Sequence, residues 1–330
     1  MSDVRHPTLR AQAIWGERRA GGTDVMDRLH HGRIAAPIVD LRDVPGLDGV
    51  GPAPGGGLRV GSAVRLAELA ADERVRAGWP ALADAAGGLA NPQIRNVATF
   101  GGSLLQRTRC AWFRSPDFRC YKAGGTGCPA AGVDHPWHAP LSTGPCVAPH
   151  PSTLALALLA FDAKVEIEPR GLIEVAALYG DGMAAGAEHT VTEEELLVAA
   201  ILPPPRPGAV SGWFRVASRG RAEWPLVEVI LHLAPGFARV AVGGMHSVPA
   251  RVPELEAALL AGAPLDPVVA TLAASAPHAS TSTRTKFPQL ARAVEIVVAR
   301  LGGVPAALPA PSFAPPAVPA PATPAPRGRR

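Results

Sequence analysis

Nowhere does this 330-residue chain hold the roughly 18 uninterrupted apolar residues that a membrane-spanning helix requires. Its first residues, Met1 to Arg10, contain no apolar run. The pair Arg18-Arg19 is followed by the glycine-rich, polar stretch Ala20 to Asp27, not by the apolar core of a twin-arginine signal. We therefore expect no membrane insertion and no export signal of the chain's own, which implies a cytoplasmic location or a periplasmic one reached by co-export with a partner. Concentrated positive charge is missing too. The 32 Lys and Arg against 28 Asp and Glu leave a formal charge of only +4, and the basic residues are scattered. A nucleic-acid groove would need them in a stripe with interleaved aromatics, so nucleic acid is not an expected partner. Cysteine is scarce, with four in all, yet all four fall within the 37 positions from Cys110 to Cys146. Such clustering implies one local purpose, either disulfides or a metal site.

What is present is ample apolar material. At 47% of the chain it is enough for two ordinary domains. Gly21-Gly22 precedes Thr23-Asp24, where a Thr or Asp can cap a helix running through Arg33. Ile38 to Leu41 and Leu58 to Gly61 read as short strands around the turn-rich segment Pro45 to Gly57. Helical periodicity follows at Leu66, Leu69, Val75, Leu82 and Ala86. From Arg109 to Pro151 periodicity gives way to Pro, Gly and Cys, the mark of a long functional loop. Leu154 to Phe161 is a helix candidate and Ala163 to Glu168 a half-buried strand.

These elements predict a first domain over 1–180, with the loop at 107–151 inserted in it. A second α+β domain is predicted over 185–302. Thr190 to Leu202 opens this second unit, followed by strands at Gly212 to Ala217 and Phe237 to Val242 and a helix at Val227 to Leu233. Helices at Glu254 to Leu260, Pro267 to Ala274 and Gln289 to Arg300 complete it. Residues 303–330 are rich in Pro and Ala with a basic end, Arg327 to Arg330, and are expected to be disordered.

Two glycine loops stand out. Ala20-Gly21-Gly22-Thr23-Asp24 can turn bare backbone amides toward a phosphate, and Thr99-Phe100-Gly101-Gly102-Ser103 repeats the pattern some eighty residues later. Two such loops could clamp one pyrophosphate from both sides. The cysteines are spaced Cys110-x9-Cys120-x7-Cys128-x17-Cys146, without the close pairs of zinc knuckles or bacterial ferredoxins. Spacing alone leaves disulfides, structural zinc and an iron-sulfur cluster open. His150 follows Cys146 closely, but four thiolates already close a coordination shell, so a structural role is expected for it.

The run Asn91 to Cys110, NPQIRNVATFGGSLLQRTRC, closely resembles FAD-binding subunits of the xanthine dehydrogenase family. It is most similar to the branch with bacterial aldehyde oxidoreductase and 4-hydroxybenzoyl-CoA reductase medium subunits. The likeness continues through Ala111 to Arg114, Cys120 to Lys122, Gly127 to Ala130 and Cys146 to Ser152. It extends more loosely over residues 18–302.

This resemblance implies an α+β fold: a vanillyl-alcohol-oxidase-type FAD-binding domain followed by a small α+β C-terminal flavoprotein domain. It implies FAD at Ala20, Gly21, Gly22, Thr23, Asp24, Val25, Thr99, Gly101, Gly102 and Ser103. Ser152, which also reads as a helix N-cap, and Arg215 are expected near the flavin. The four cysteines fall where that branch carries the ligands of a [4Fe-4S] cluster, with Arg107, Arg109, Arg114 and Lys122 offsetting its charge. No catalytic residue is implied, because substrate chemistry in the family belongs to a molybdenum-binding large subunit.

The expected assembly adds that large subunit and a [2Fe-2S] small subunit, whose plant-type C-x4-C-x2-C motif this chain does not carry. The chain would pass electrons from partner clusters to an external acceptor during aldehyde or aromatic oxidation. Three departures are visible: Thr153 where the family often has aspartate, Ala222 where it has an aromatic, and only Met1 to Arg19 before the first glycine loop. Arg215 itself replaces a common lysine. These departures keep a second reading open, a flavin-free scaffold subunit of the same assembly.

Overall fold

In a computed structural model, residues 4–5, 16–34, 37–218, 220, 223–302 and 305 are described. The Pro/Ala-rich tail and Ala222 lie outside the described residues. The chain forms three sheets with helices packed on them, an α+β fold. The first sheet is parallel, with Ile38–Asp40 between Val4–Arg5 and Glu17–Arg19. The helix Val25–His30 makes the crossover from Glu17–Arg19 to Ile38–Asp40, and this places the first glycine loop at the carboxyl end of a parallel strand. Glu17–Arg19 shows no apolar pattern because charge holds it. Arg19 pairs with the fully buried Asp40, and Glu17 pairs with Arg28 of the crossover helix.

The second sheet has five antiparallel strands, ordered Val50–Ala53, Gly57–Gly61, Leu196–Leu202, Lys164–Glu168, Gly171–Glu174. The segment expected to open the second unit is therefore the middle strand of the first unit's sheet. Its run Leu196 to Ala200 is buried on both faces and carries no alternation to show which sheet it joins. The third sheet, antiparallel, is ordered Ala250–Arg251, Phe237–Gly243, Val227–Ala234, Val210–Val216.

The helix expected at Val227 to Leu233 is a strand of this third sheet. Every residue of it is buried. Ile230 belongs to the core around the helix Thr153–Ala160, and His232 Nδ1 donates to the Ala160 carbonyl of that helix. Val227, Val229, Leu231 and Leu233 belong instead to the core under the C-terminal helices Pro253–Ala261, Leu265–Ser275 and Lys286–Arg300. The two-residue period is only partly visible in polarity: Glu228 and His232 share a face with the apolar Ile230, while Val227, Val229, Leu231 and Leu233 are apolar throughout. So short and mostly apolar a run reads equally as a buried helix.

Thr153–Ala160 is buried along its whole length, packs on the third sheet and shares one apolar core with residues of the second. Its N-cap is Ser152, whose Oγ accepts from Ala155 N at 3.2 Å. Among the described residues no helix is long and apolar enough to cross a membrane.

Candidate functional site

The first glycine loop exists because two stretches of backbone touch. A Cβ on Gly21 would stand 2.0 Å from the Val97 carbonyl oxygen, so only glycine permits the loop to lie against the segment entering the second loop. Gly22 follows in the left-handed region, at φ +75°. No described residue accepts from the amides of Gly21, Gly22, Thr23 or Asp24. Four consecutive amides without a described acceptor are the donor set that an anion would need.

The second loop behaves differently. Phe100 N donates to Val64 O, Gly101 N to Ser62 O, and Gly102 N to Thr99 Oγ1. The expected clamp with amides on both sides thus becomes an unequal pair: the first loop offers donors, while the second braces it and shapes the wall. Both loops line one open cleft, about 1260 Å3 of empty space counted out to the solvent. Val25 lines it as well. Arg18 and His189 add buried nitrogens, Nε and Nδ1, that no described group meets.

A neighbouring cavity of about 770 Å3 shares Thr23, Asp24, Gly102 and Gln106 with the first and is also lined by Ser103, Trp224 and Arg215. The sequence-predicted residues are thus brought together, with one exception. Ser152 is a buried helix cap that lines none of the cavities described here. Arg215 lies across the strand pair from Glu228, and its guanidinium donates to the Glu223 carbonyl. The departure at Thr153 has a physical account. Its hydroxyl donates to Glu228, whose carboxyl burial raises above the usual range. An aspartate there would set a second carboxylate against this buried acid.

Asp24 lines both cavities but its carboxylate is committed to arginines. Its carboxylate accepts from Arg28 at 3.0 Å and Arg114 at 2.6 Å, lies 3.2 Å from Arg109, and caps Arg107 N at 3.3 Å. Burial raises its pKa, but Arg109 and Arg114 outweigh burial and hold the carboxyl below its ordinary value. The helix behind it has only six residues, so the loop amides, not a long helix dipole, are what the site offers an anion.

The cysteine loop closes on itself. Cys110, Cys120, Cys128 and Cys146 all line one cavity of about 310 Å3. None of the four is paired in a disulfide. Burial pushes the Cys146 thiol up to about 11, against the pull of Lys122, and raises Cys110 too. Thiols in such surroundings ionise when a metal takes the proton's place.

The basic residues expected to offset a cluster's charge are already matched by acids. Arg107 and Lys122 hold the buried Glu188, and Arg114 holds Asp24 and Asp27. Sequence reading did not single out Glu188. It carries no motif, and only the fold shows it accepting from Thr108 N at 2.9 Å, two residues before Cys110. His150 stands outside the thiol cavity.

Comparison with known proteins agrees with this geometry. Residues 19–205 match the family described as "FAD binding domain in molybdopterin dehydrogenase". The chain is 37% identical over 286 residues to the aldehyde oxidoreductase FAD-binding subunit PaoB of Escherichia coli K12, covering 83% of this chain and 88% of that one. It is 31% identical over 218 residues to the putative xanthine dehydrogenase FAD-binding subunit XdhB of the same organism, covering 64% and 59%. Among solved structures, carbon monoxide dehydrogenase from Hydrogenophaga pseudoflava shares the fold at a TM-score of 0.68 and 17% identity, over 91% of this chain and 97% of that one. Quinoline 2-oxidoreductase from Pseudomonas putida 86 does so at 0.65 and 18%, over 91% and 96%.

Proposed function

This chain belongs to the family of FAD-binding domains of molybdopterin dehydrogenases and is an oxidoreductase subunit, and from that premise we propose that it is an FAD- and [4Fe-4S]-binding electron-transfer subunit. Its assembly would be a molybdenum hydroxylase oxidising aldehyde or aromatic substrates. A molybdenum-cofactor large subunit and a [2Fe-2S] small subunit would be its partners, and the chain would hand their electrons to an external acceptor.

One observation carries this reading: the anion-binding glycine loop and the four-thiol loop are built onto each other through Asp24. Residues that would hold a diphosphate and residues that would hold a cluster therefore keep a constant spacing. The loop amides of Gly21 to Asp24 would bind the pyrophosphate of FAD, and Ser103 and Arg215 would flank its ring system in the adjoining cavity. Arg215 brings positive charge to that wall, which favours a reduced, anionic ring. Bound FAD supplies the exchange between one-electron and two-electron carriers.

For the cluster, four cysteines around one cavity make the donor set of a [4Fe-4S] centre. Four thiolates also suit structural zinc, and iron content separates the two. The FAD-binding part would end after the strand Leu196–Leu202, and the C-terminal part would carry the third sheet.

Anaerobic purification tests the proposal. Flavin absorbance near about 450 nm and about four irons per chain are expected. A colourless chain that takes up neither FAD nor iron would overturn it in favour of the flavin-free scaffold.

A further inference from the structure

Beside the cavity assigned to the flavin ring lies another, of about 810 Å3, sharing Arg109, Pro151 and Trp224 with it. No residue of either glycine loop lines it. Its walls are aromatic: Trp112, Trp137 and Trp224, with Trp112 ring-to-ring at 5.7 Å from His138. The wall is held from behind, where the buried Lys286 Nζ donates to the carbonyls of His138 at 2.7 Å and Gly244 at 2.8 Å.

The polar groups that reach this cavity have a definite chemistry. His150 is 8% exposed, and its Nδ1 accepts from Ser152 N at 3.2 Å. Burial pushes its pKa down to about 3, so the ring is neutral and its one proton must sit on Nε2. No described group accepts from that Nε2. The Nε2 of His138, 6% exposed, is also buried without a described partner, but that ring bonds the Val133 backbone and is not assigned as a donor. A buried N–H without a protein acceptor points to a partner that is not a protein atom.

That partner is neutral. Arg109 at the cavity edge is matched by Asp24, and burial raises Glu228 toward its uncharged form. Among the described residues no three ligand side chains are grouped there for a metal ion.

We propose that this cavity binds a planar aromatic carbonyl compound of the quinone class, its ring against the indoles and one carbonyl oxygen accepting from His150 Nε2. Three tryptophans suit a flat ring, and a lone buried donor suits a carbonyl at its edge. The choice of quinones among neutral aromatic carbonyl compounds rests on the flavin reading above, because the shared wall sets the ligand beside an electron carrier.

The test is equilibrium dialysis of the full-length chain, as purified, against 2,3-dimethyl-1,4-naphthoquinone, whose substituted ring does not add to the free thiols. The parallel probe is 2,3-dimethylnaphthalene, which has the same ring without carbonyls. Saturable binding of about one quinone per chain is expected, at least tenfold tighter than the hydrocarbon, the contribution of about one hydrogen bond. Trp137→Ala alters a residue 38% exposed that lines this cavity and not the flavin or thiol cavities, and it should weaken quinone binding at least threefold. Its flavin and iron contents should match those of the wild type.

Absent saturation, equal affinity for the two probes, or unchanged affinity in Trp137→Ala would each overturn the proposal. Should Trp137→Ala fail to fold, the probe pair decides. Flavin content, measured on the same sample, separates the two readings. A chain without flavin that still binds the quinone ahead of the hydrocarbon loses the flavin reading and keeps this site.

Discussion

Arg114 donates through Nη2 to Asp24 Oδ1 at 2.6 Å, across ninety positions of sequence, and through Nη1 to Asp27 at 2.7 Å. The first partner terminates the glycine loop, and Arg114 itself lies four residues beyond Cys110. The two candidate cofactor loops therefore move as one unit.

Asp24→Asn removes the charge that Arg28, Arg109 and Arg114 share, leaving three largely buried guanidiniums under-compensated. We expect a loss of about 3 kcal/mol, read as a lower denaturant midpoint. The pH dependence has a definite sign. Asp24 has a folded pKa below its unfolded one, so its contribution is present above about pH 4 and is lost as pH falls through the folded value. The variant should lack this part of the acid limb of the stability curve.

Gly21→Ala has no room, since the new carbon would meet backbone at Val97. The loops must part, costing about 1–3 kcal/mol and most of the flavin. Gly51→Ala, in open space on a strand, is the control and should keep both flavin and melting temperature. Equal flavin retention in both variants would show that the contact of the two loops is not what holds the cofactor.

Cys128→Ser should lower iron from about four per chain to below one while leaving flavin in place. Loss of flavin along with iron would mean instead that the cysteine loop folds only around its cluster.

Lys286 is buried, and burial pushes its pKa down to about 7. The unfolded chain holds that proton up to about pH 10.4, so between those values the unfolded state binds more protons and stability rises with pH. Lys286→Met should remove this rise, by as much as about 5 kcal/mol across the window. The wild-type minus variant difference, measured by denaturation at several pH values, isolates the lysine from other titrating groups.

Much of the site was legible in the chain because its signals are local. A diglycine, a Thr-Phe-Gly-Gly-Ser run and four clustered cysteines each mark chemistry within a few residues, and backbone geometry restricts what such runs can do. The helix cap at Ser152 was legible for the same reason. Glu188 was not, since a lone glutamate in a polar stretch becomes the counterion of Arg107 and Lys122 only when distant segments meet.

The sequence by itself determined the two loop chemistries, the family and the α+β class, because these rest on residue types at short spacing. Only the tertiary structure decided that Val227–Ala234 is a strand, since both its faces are buried and the alternation is reduced to Glu228 and His232 in an otherwise apolar run. It also decided that Leu196–Leu202 closes the first sheet, that Asp24 serves the cysteine loop, and that Ser152 caps a helix away from the cavities. Each of these depends on a partner far along the chain, and such pairings come from packing the whole core at once.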